Sequence, residues 1–317
     1  CHSVIVNGAP QPFDPAQREQ AAQTFQKLSA EGFRTLGVAT RTVNPQAAYT
    51  AAAETEMTLA GFAAFFDPPK EGVLAVLEGL RQNGISVVIM TGDNQYVTKK
   101  VACDVGLAVD RILIGNDIER MDDAALAYQA EHGAIFARVS PEQKNRIILA
   151  LKARGHVVGY IGDGINDAPS LHTADIGISV ANGVDVAKEA AKIILLEKDL
   201  SVLNDGVVEG RRCFANIMKY IIMGTSSNFG NMFSMAAASL FLPFLPMLPT
   251  QILLNNFLYD VSQTSIPSDH VDPALLRRPK RWQTGFIRQF MMIIGPISSL
   301  YDFLTFAVLL YVFHAAT

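Results

Sequence analysis

The sequence predicts an α/β domain with a doubly wound, mostly parallel sheet, followed by an α-helical transmembrane segment. Short apolar strands alternate with amphipathic helices over residues 62–200, which is typical of a sheet with helices on both faces. From Tyr220 to Tyr259 the chain has 40 residues without Asp, Glu, Lys, Arg or His, and Asp302 is the one charge between 289 and 313. About 20 apolar residues cross a bilayer, so a soluble part is followed by a membrane part.

The ends of the predicted elements are marked by specific residues. Asp14 and Pro15 are an N-cap and a first-turn proline, and Gly32 ends the same helix. The apolar run at 85–90 is typical of a central parallel strand. The predicted elements are helix 16–31, strand 33–40, strand 62–66, helix 71–83, strand 85–90, helix 94–105, a helix from 141, strand 156–161, strand 176–180, helix 185–191, strand 193–196 and helix 199–219.

Composition argues against some classes of function. The formal net charge is −4, and the sequence has no basic stripe or nucleic-acid-binding motif, so we expect no nucleic-acid partner. The cysteines Cys1, Cys103 and Cys213 lack CxxC spacing. Free cytosolic thiols are therefore favoured over a disulfide or a metal site.

Two turns of the α/β part carry side chains suited to an anion. Thr91-Gly92-Asp93 follows the apolar run and precedes a helix, where a hydroxyl and backbone N–H groups are available to an anion. Ser140 and Gln143 form a predicted capping box. Lys144 then lies in the first helical turn, where the helix dipole disfavours a cation, which indicates that an anion holds it. A capped turn and a surface lysine without a ligand are the alternatives.

A third turn, GDGINDAP at 162–169, follows a predicted buried strand. Ligands of α/β sheets bind at the carboxyl ends of strands. Asp163 and Asp167 suit a hard cation such as Mg²⁺ held together with a phosphate. The alternative is a turn without chemistry, because Asp, Asn and Gly favour turns in any case.

Four motifs stand in one order: DPPK at 67–70, TGD at 91–93, FARVSPEQK at 136–144 and GDGINDAP at 162–169. Together they resemble the phosphorylation domain of P-type cation-transporting ATPases, which has a haloacid-dehalogenase-like fold. GFRTLGVA at 32–39 is similar to the end of the family's α+β nucleotide-binding domain. The resemblance covers essentially the whole chain, and it implies ATP as substrate and Mg²⁺ as cofactor.

The resemblance also implies roles for individual residues. Thr91 and Lys144 would hold the transferred phosphoryl group, and Asp163 would coordinate the catalytic Mg²⁺ with Asp167. The implied catalytic residues are Thr91, Gly92, Asp93, Lys144, Asp163, Asn166 and Asp167, and the implied nucleotide-binding residues are Arg34, Asp67, Thr91, Gly92, Asp93 and Lys144.

One departure from the family pattern is important. The DKTGT motif that carries the family's nucleophilic aspartate is absent from the 317 residues. In the family it precedes the nucleotide-binding domain, so we expect it upstream of Cys1, together with the actuator domain and the first membrane helices. The fragment alone is expected to be inactive.

Three membrane helices are predicted at about 217–242, 250–267 and 287–313, corresponding to the family's fifth, sixth and seventh helices. Pro243, Pro246 and Pro249 mark an uncharged loop between the first two. The positive-inside rule places the basic segment 268–288, and with it the α/β domain, in the cytosol. The predicted domains are 1–60 for the end of the nucleotide-binding domain, 61–215 for the phosphorylation domain and 216–317 for the transmembrane domain.

Polar residues within these spans are candidate ligands of a transported ion. Asn228 and Asn231 share one helix face, and Asn256 and Asp260 share another. Such groups in a membrane are expensive and usually functional. Hydrogen bonding between helices is the alternative for the asparagines, and Asp302 could be a structural partner within the bundle.

The membrane part also suggests the ion. The stretches SSNFGNMFS, LYDVSQ and GPISSLYDFLTF resemble bacterial magnesium-importing P-type ATPases. We therefore expect ATP-driven Mg²⁺ import across the bacterial inner membrane through an aspartyl-phosphate, with membrane lipid, ATP and a divalent cation as partners. The alternatives are a Ca²⁺ or other cation pump of the same family, a soluble phosphatase of the same fold, and a non-catalytic membrane module.

Overall fold

The computed structural model describes residues 1–44, 49–70, 72–197, 199–240, 242, 247–278 and 280–314. The chain divides into two compact units. The first unit contains residues 1–81 and 85–202, and the second contains residues 82–84 and 203–317.

The first unit alternates strands and helices. Its elements are β1 (Ser3–Val6), β2 (Ala9–Pro12), α1 (Pro15–Ala30), β3 (Phe33–Thr40), β4 (Thr58–Phe66), α2 (Val73–Gln82), α3 (Gln95–Asp104), β5 (Ile112–Ile114), α4 (Gly115–Arg120), α5 (Asp123–Glu131), β6 (Ile135–Ala137), α6 (Pro141–Ala153), β7 (Gly159–Ile161), α7 (Ala168–Thr173), β8 (Ile176–Val180), α8 (Asp185–Ala190) and β9 (Ile193–Leu195). Apart from the predicted strand 85–90, the predicted elements occur in the predicted order, although β4 begins earlier and β7 later than expected. The elements β1, β2, β5, α4, α5, β6 and α7 were not predicted. Glu71, the predicted start of α2, lies outside the described residues.

The N-terminal part of this unit is a four-stranded sheet in the order β2-β1-β4-β3. β3 and β4 are antiparallel with Phe33 opposite Phe66, whereas β1 and β4 are parallel. α1 begins as predicted, because the Asp14 side chain accepts a hydrogen bond from the backbone N–H of Gln17 at 2.8 Å.

The predicted parallel sheet is present in two separate pieces. One piece pairs β5 with β6, and the other has the order β7-β8-β9. The predicted strand 85–90 is wrong as a strand, since only Met90 forms a bridge, with Phe136 of β6. A β-strand needs backbone hydrogen bonds to a neighbouring strand over several residues. Within the described chain, this segment forms such bonds to β6 at Phe136 alone, which donates to the Ile89 carbonyl oxygen and accepts from the Thr91 N–H.

Helix α6 links the cores of the two sheet pieces. Ile147 and Ile148 are both fully buried, but they belong to different apolar clusters. Met90 packs against both clusters, and Tyr160 of β7 belongs to the second. The middle of α6 is therefore packed against the apolar residues of both pieces. Its predicted capping box is confirmed, because Ser140 and Gln143 each bond the other's backbone N–H.

Close backbone packing at Gly177 in β8 gives a first stability prediction. A Cβ atom at this position would lie 2.3 Å from the carbonyl oxygen of Leu171, and backbone cannot easily move away. We expect Gly177→Ala to cost about 1–3 kcal/mol and to lower the melting temperature by about 5 °C.

The matched control for this substitution is Gly159→Ala on the neighbouring strand β7. A Cβ atom there would meet the Ile176 carbonyl oxygen at 3.9 Å, an ordinary contact. Thermal unfolding followed by circular dichroism should show a loss for Gly177→Ala alone. Equal melting temperatures for the two variants would contradict the predicted clash.

The second unit is helical. Its elements are α9 (Ser201–Ala238), α10 (Pro249–Gln263), α11 (Pro273–Arg277) and α12 (Thr284–Tyr311). The predicted helix 199–219 and the predicted first span are one continuous helix, α9, of 38 residues. Pro243 and Pro246 of the predicted loop lie outside the described residues.

One helix among the described residues is long and apolar enough to cross a membrane. This is α12, with 28 residues and a mean hydropathy of 1.7 in its most apolar window. α10 has 15 residues, which at 1.5 Å per residue reach about 22 Å, less than the hydrocarbon core of about 30 Å. The other two spans therefore stay predictions.

Helices α9 and α12 approach each other at two glycines. A Cβ atom on Gly230 would lie 3.0 Å from the Gly295 carbonyl oxygen, and the Ser299 hydroxyl donates to the Gly230 carbonyl oxygen at 2.9 Å. The Ser234 hydroxyl lies 2.5 Å from Oδ2 of Asp302. Small residues and polar bonds of this kind are typical of membrane helix pairs, and they agree with the structural alternative for Asp302.

Candidate functional site

The Thr91-Gly92-Asp93 turn is fixed by backbone hydrogen bonds to the end of β6. The Thr91 N–H donates to the Phe136 carbonyl oxygen at 2.9 Å, and the Val139 N–H donates to the Thr91 carbonyl oxygen at 3.1 Å. The Thr91 hydroxyl accepts from the Asp93 N–H at 3.1 Å and lies 3.2 Å from Asp93 Oδ2. Thr91 is therefore held next to the segment that leads into α6.

Arg34 contacts this turn from the strand β3. Its Nη2 and Nε lie 2.7 Å and 3.1 Å from the same oxygen, Asp93 Oδ1. The hydrogen bond and the charge of Asp93 raise the pKa of Arg34, and the charge of Asp67 adds to this. The two side chains are 56% and 35% exposed, so solvent screens the ion pair and it contributes little to stability.

Lys144 and Asp167 form a sheltered ion pair in the first unit. Lys144 Nζ lies 2.9 Å from Asp167 Oδ1, and the side chains are 13% and 14% exposed. Lys144 lies in the first turn of α6, as predicted, and its counter-charge comes from the GDGINDAP turn. The structure therefore brings FARVSPEQK into direct contact with GDGINDAP, in addition to its backbone hydrogen bonds with the Thr91-Gly92-Asp93 turn.

Tyr160 and Gly164 complete the surroundings of the Asp167 carboxylate. The Tyr160 hydroxyl donates to Oδ1 at 2.6 Å, and the Gly164 N–H donates to Oδ2 at 3.3 Å. Burial acts to raise the pKa of Asp167, but the hydrogen bonds from Tyr160 and Lys144 outweigh it and hold that pKa below its usual value. Burial, with the Asp167 bond, raises the pKa of Tyr160, so the phenol remains a donor.

Gly162 allows the turn to fold onto Asp167. A Cβ atom at Gly162 would lie 2.5 Å from the Asp167 Cβ atom. The backbone of the next residue is also fixed, because the Asp163 carbonyl oxygen accepts a hydrogen bond from the Val184 N–H at 2.9 Å. The glycine is therefore required by a close approach, in addition to turn formation.

Asp163 and Asn166 are exposed, and within the described part of the chain their side chains make no hydrogen bond or ion pair. No group of three or more His, Cys, Asp or Glu suited to a metal ion occurs among the described residues. The free Asp163 carboxylate and the Asn166 amide are oxygen donors that fit Mg²⁺, which often takes few protein ligands plus water and phosphate. Asp167 differs because both of its oxygens already have protein partners.

Two residues near these motifs were not predicted as site residues. Tyr160 stood in an apolar strand, where no neighbour in sequence indicated a polar partner. Arg138 is exposed and has a φ of +52°, which is unusual for a residue other than glycine, and its N–H donates to the Asp93 carbonyl oxygen at 2.8 Å. Its place within FARVSPEQK was the available signal.

The four predicted ion ligands of the second unit are not joined by hydrogen bonds within the described residues. Asn228, Asn256 and Asp260 are exposed and Asn231 is partly exposed. A cavity of about 430 Å³ between α9 and α10 reaches Asp260, but none of the three asparagines lines it. Other polar groups on its wall include Asn216 and Gln263, which are 4% and 5% exposed.

Comparison with known protein families identifies the class of the chain. The family model for haloacid dehalogenase-like hydrolases matches residues 15–175, just over half of the chain. This chain belongs to the haloacid dehalogenase-like hydrolase family, in agreement with its parallel strands, alternating helices and carboxylate-bearing turns. Residues 244–317 match a second model, the C-terminus of cation-transporting ATPases.

Individual relatives extend the similarity to the full chain. A magnesium-transporting ATPase, P-type 1, of Escherichia coli strain K12 is 49% identical over 100% of this chain and 35% of its own length. The corresponding protein of Salmonella typhimurium has the same identity and coverage. A calcium-transporting ATPase 1 of Bacillus cereus is 33% identical over 89% of this chain and 32% of its own length. The predicted resemblance to P-type cation-transporting ATPases is confirmed, and the chain spans about a third of the length of these relatives.

Proposed function

We propose that the protein to which these residues belong is a P-type ATPase that imports Mg²⁺ into the cytosol through an aspartyl-phosphate. The observation that carries the proposal is the sheltered Lys144–Asp167 ion pair. Asp167 follows the carboxyl end of the parallel strand β7, and Lys144 lies five residues after Val139, whose N–H donates to the Thr91 carbonyl oxygen. Similarity to magnesium-transporting ATPases over the whole chain supports the same function.

The residues of the first unit supply most of a phosphoryl-transfer site. Thr91 offers a hydroxyl and Lys144 a positive charge to the transferred group, because such transfer depends on positioning and charge neutralisation. Arg34 would exchange Asp93 for a nucleotide phosphate, with Asp67 and the Gly92 backbone beside it. Asp163 would hold the catalytic Mg²⁺ with Asn166 nearby, and Asp167 would anchor Lys144. The bound Mg²⁺ would neutralise phosphate charge.

The acceptor of the phosphoryl group must come from another segment of the protein. Among the described residues, the parallel sheet is interrupted between Met90 and β7. The side chains of Met90 and of Tyr160 in β7 nevertheless pack in one apolar cluster. We infer that a strand carrying the nucleophilic aspartate pairs there. Its carboxylate oxygen would bond to the γ-phosphorus of ATP while the bond to the leaving ADP oxygen breaks.

The second unit would carry the ion. Asp260 offers a carboxylate at the edge of a cavity, and Asn231 and Asn256 offer amide oxygens on the same two helices. A site with one carboxylate suits a cation that keeps much of its water, as Mg²⁺ does. We further propose that the protein lies in the bacterial inner membrane with the first unit in the cytosol. The basic segment 268–288 supports that orientation.

Transport in vesicles tests this proposal. The whole protein is reconstituted with Mg²⁺ and an indicator dye inside, and ATP is added outside, so that only molecules with the first unit outward respond. In these molecules the outside of the vesicle corresponds to the cytosol. Import therefore predicts ATP-dependent loss of Mg²⁺ from the vesicle lumen. We expect Asp260→Asn to lower this rate at least about tenfold, because an ionised ligand is removed.

Matched variants and a second ion make the transport test specific. Asn256→Ala should impair transport, whereas Asn255→Ala, one position away on another helix face, should not. Transport of luminal Ca²⁺ in place of Mg²⁺ would favour the rival cation pump suggested by the Bacillus cereus relative. Full transport by Asp260→Asn would contradict the proposed ion site.

A further inference from the structure

Tyr160 is the one phenol in direct contact with the charged groups of the candidate phosphoryl-transfer site within the described residues. Its hydroxyl lies 2.6 Å from Asp167 Oδ1, the same oxygen that Lys144 Nζ reaches at 2.9 Å. The ring is 6% exposed and packs in the apolar cluster with Ile148 and Leu171. The hydroxyl therefore cannot turn towards water without moving the strand.

The contacts of Asp167 show what this hydroxyl does. A carboxylate can rotate about its Cβ–Cγ bond, and here each oxygen has a donor other than Lys144, the Tyr160 hydroxyl on Oδ1 and the Gly164 N–H on Oδ2. These two donors belong to β7 and to the turn after it, so they fix the carboxylate plane without Lys144. Lys144 has a flexible four-carbon stem and gains a fixed partner only because Asp167 is already oriented.

The shared oxygen also limits how tightly Lys144 is bound. A hydrogen bond from a phenol to a carboxylate is charge-assisted and withdraws part of the negative charge of that oxygen. If Tyr160 were absent, Lys144 would be the sole donor to Oδ1 among the described residues. The ammonium would then be held closer to Asp167 and would be less available to an incoming anion.

We infer that Tyr160 is a positioning residue, which acts through Asp167 to hold Lys144 at the place where a phosphoryl group is bound. The inference rests on the proposed function, because it assigns Tyr160 a task in that same site. It does not make Tyr160 a catalytic residue, since the hydroxyl faces Asp167.

The variant Tyr160→Phe tests this inference, because it removes the hydroxyl and keeps the ring. The probe is orthovanadate, added to the whole protein, since it mimics the phosphoryl group in the transition state of its transfer. We expect its affinity to fall about tenfold, as for loss of a hydrogen bond to a charged group. The KM for ATP should stay within about twofold and the melting temperature within about 2 °C, because ring packing and nucleotide contacts are unchanged.

Controls separate a positioning role from a structural one. Tyr128→Phe, on an exposed ring in α5, should leave orthovanadate affinity and melting temperature at the wild-type values. Unchanged orthovanadate affinity in Tyr160→Phe would overturn the inference. Equal losses in orthovanadate affinity, ATP affinity and thermal stability, or failure to fold, would also overturn it, in favour of a core residue.

Failure of the inference is distinguishable from failure of the proposed function. If wild-type protein does not bind orthovanadate, or Lys144→Ala binds it as well as wild type does, the phosphoryl-transfer site itself is wrong. If Lys144→Ala loses binding and Tyr160→Phe keeps it, only the role of Tyr160 is wrong.

Discussion

Replacing Lys144 by alanine should reduce phosphoenzyme formation by the whole protein at least about 100-fold. Removing one preorganised donor from a site of developing charge costs about 10²–10³ in rate. Lys144 is 13% exposed, so little water can replace its charge. The loss should fall mainly on kcat, because the ammonium is proposed to hold the group being transferred.

The measurement is acid-quenched phosphoenzyme formed from γ-labelled ATP, compared with Lys152→Ala. Lys152 is on the same helix and is also paired, with the Thr173 carbonyl oxygen at 2.8 Å and Asp175 at 3.1 Å, but it lies about two helical turns beyond Lys144 and does not contact Asp167. Its ion pair is partly exposed, so we expect a stability loss below about 1 kcal/mol and activity within about twofold. Near-wild-type phosphoenzyme in Lys144→Ala would contradict the assignment of the site.

Local chemistry explains which parts of the fold could be predicted. The bounds of β3 agree with the predicted strand 33–40, because Gly32 and the apolar pattern define its start. The capping box of Ser140 and Gln143 also depends only on residues within one helical turn. The motif turns were predictable for the same reason, because their glycines, carboxylates and hydroxyls are adjacent in sequence.

Partners that are distant in sequence could not be predicted in this way. Arg34 was assigned to a nucleotide, and the structure pairs it with Asp93, 59 positions away. Tyr160 looked like a core residue, and its polar role depends on α7 bringing the turn back over β7. The run 85–90 was apolar enough for a strand, yet a strand also needs a neighbour with free backbone groups, which composition does not reveal.

The contrast between the two aspartates of GDGINDAP leads to the second large effect. Asp167 has protein donors on both oxygens, whereas the exposed Asp163 has none among the described residues. A carboxylate with no protein partner is the one that can take up a cation without losing other bonds. We therefore expect Asp163→Asn to raise the Mg²⁺ concentration needed for half-maximal phosphoenzyme formation at least about 30-fold, since a charged ligand becomes a neutral amide.

Stability distinguishes the two aspartates independently of activity. Asp163→Asn removes no protein contact, so its melting temperature should stay within about 2 °C of wild type. Asp167→Asn leaves the sheltered Lys144 ammonium without its counter-charge and should cost about 1–2 kcal/mol. Thermal unfolding and a Mg²⁺ titration at fixed free ATP, made on both variants, measure these effects. If Asp163→Asn is the less stable variant and keeps the wild-type Mg²⁺ requirement, the roles of the two carboxylates are reversed. If the pattern is as expected, the turn combines one aspartate that anchors Lys144 with another that binds the metal.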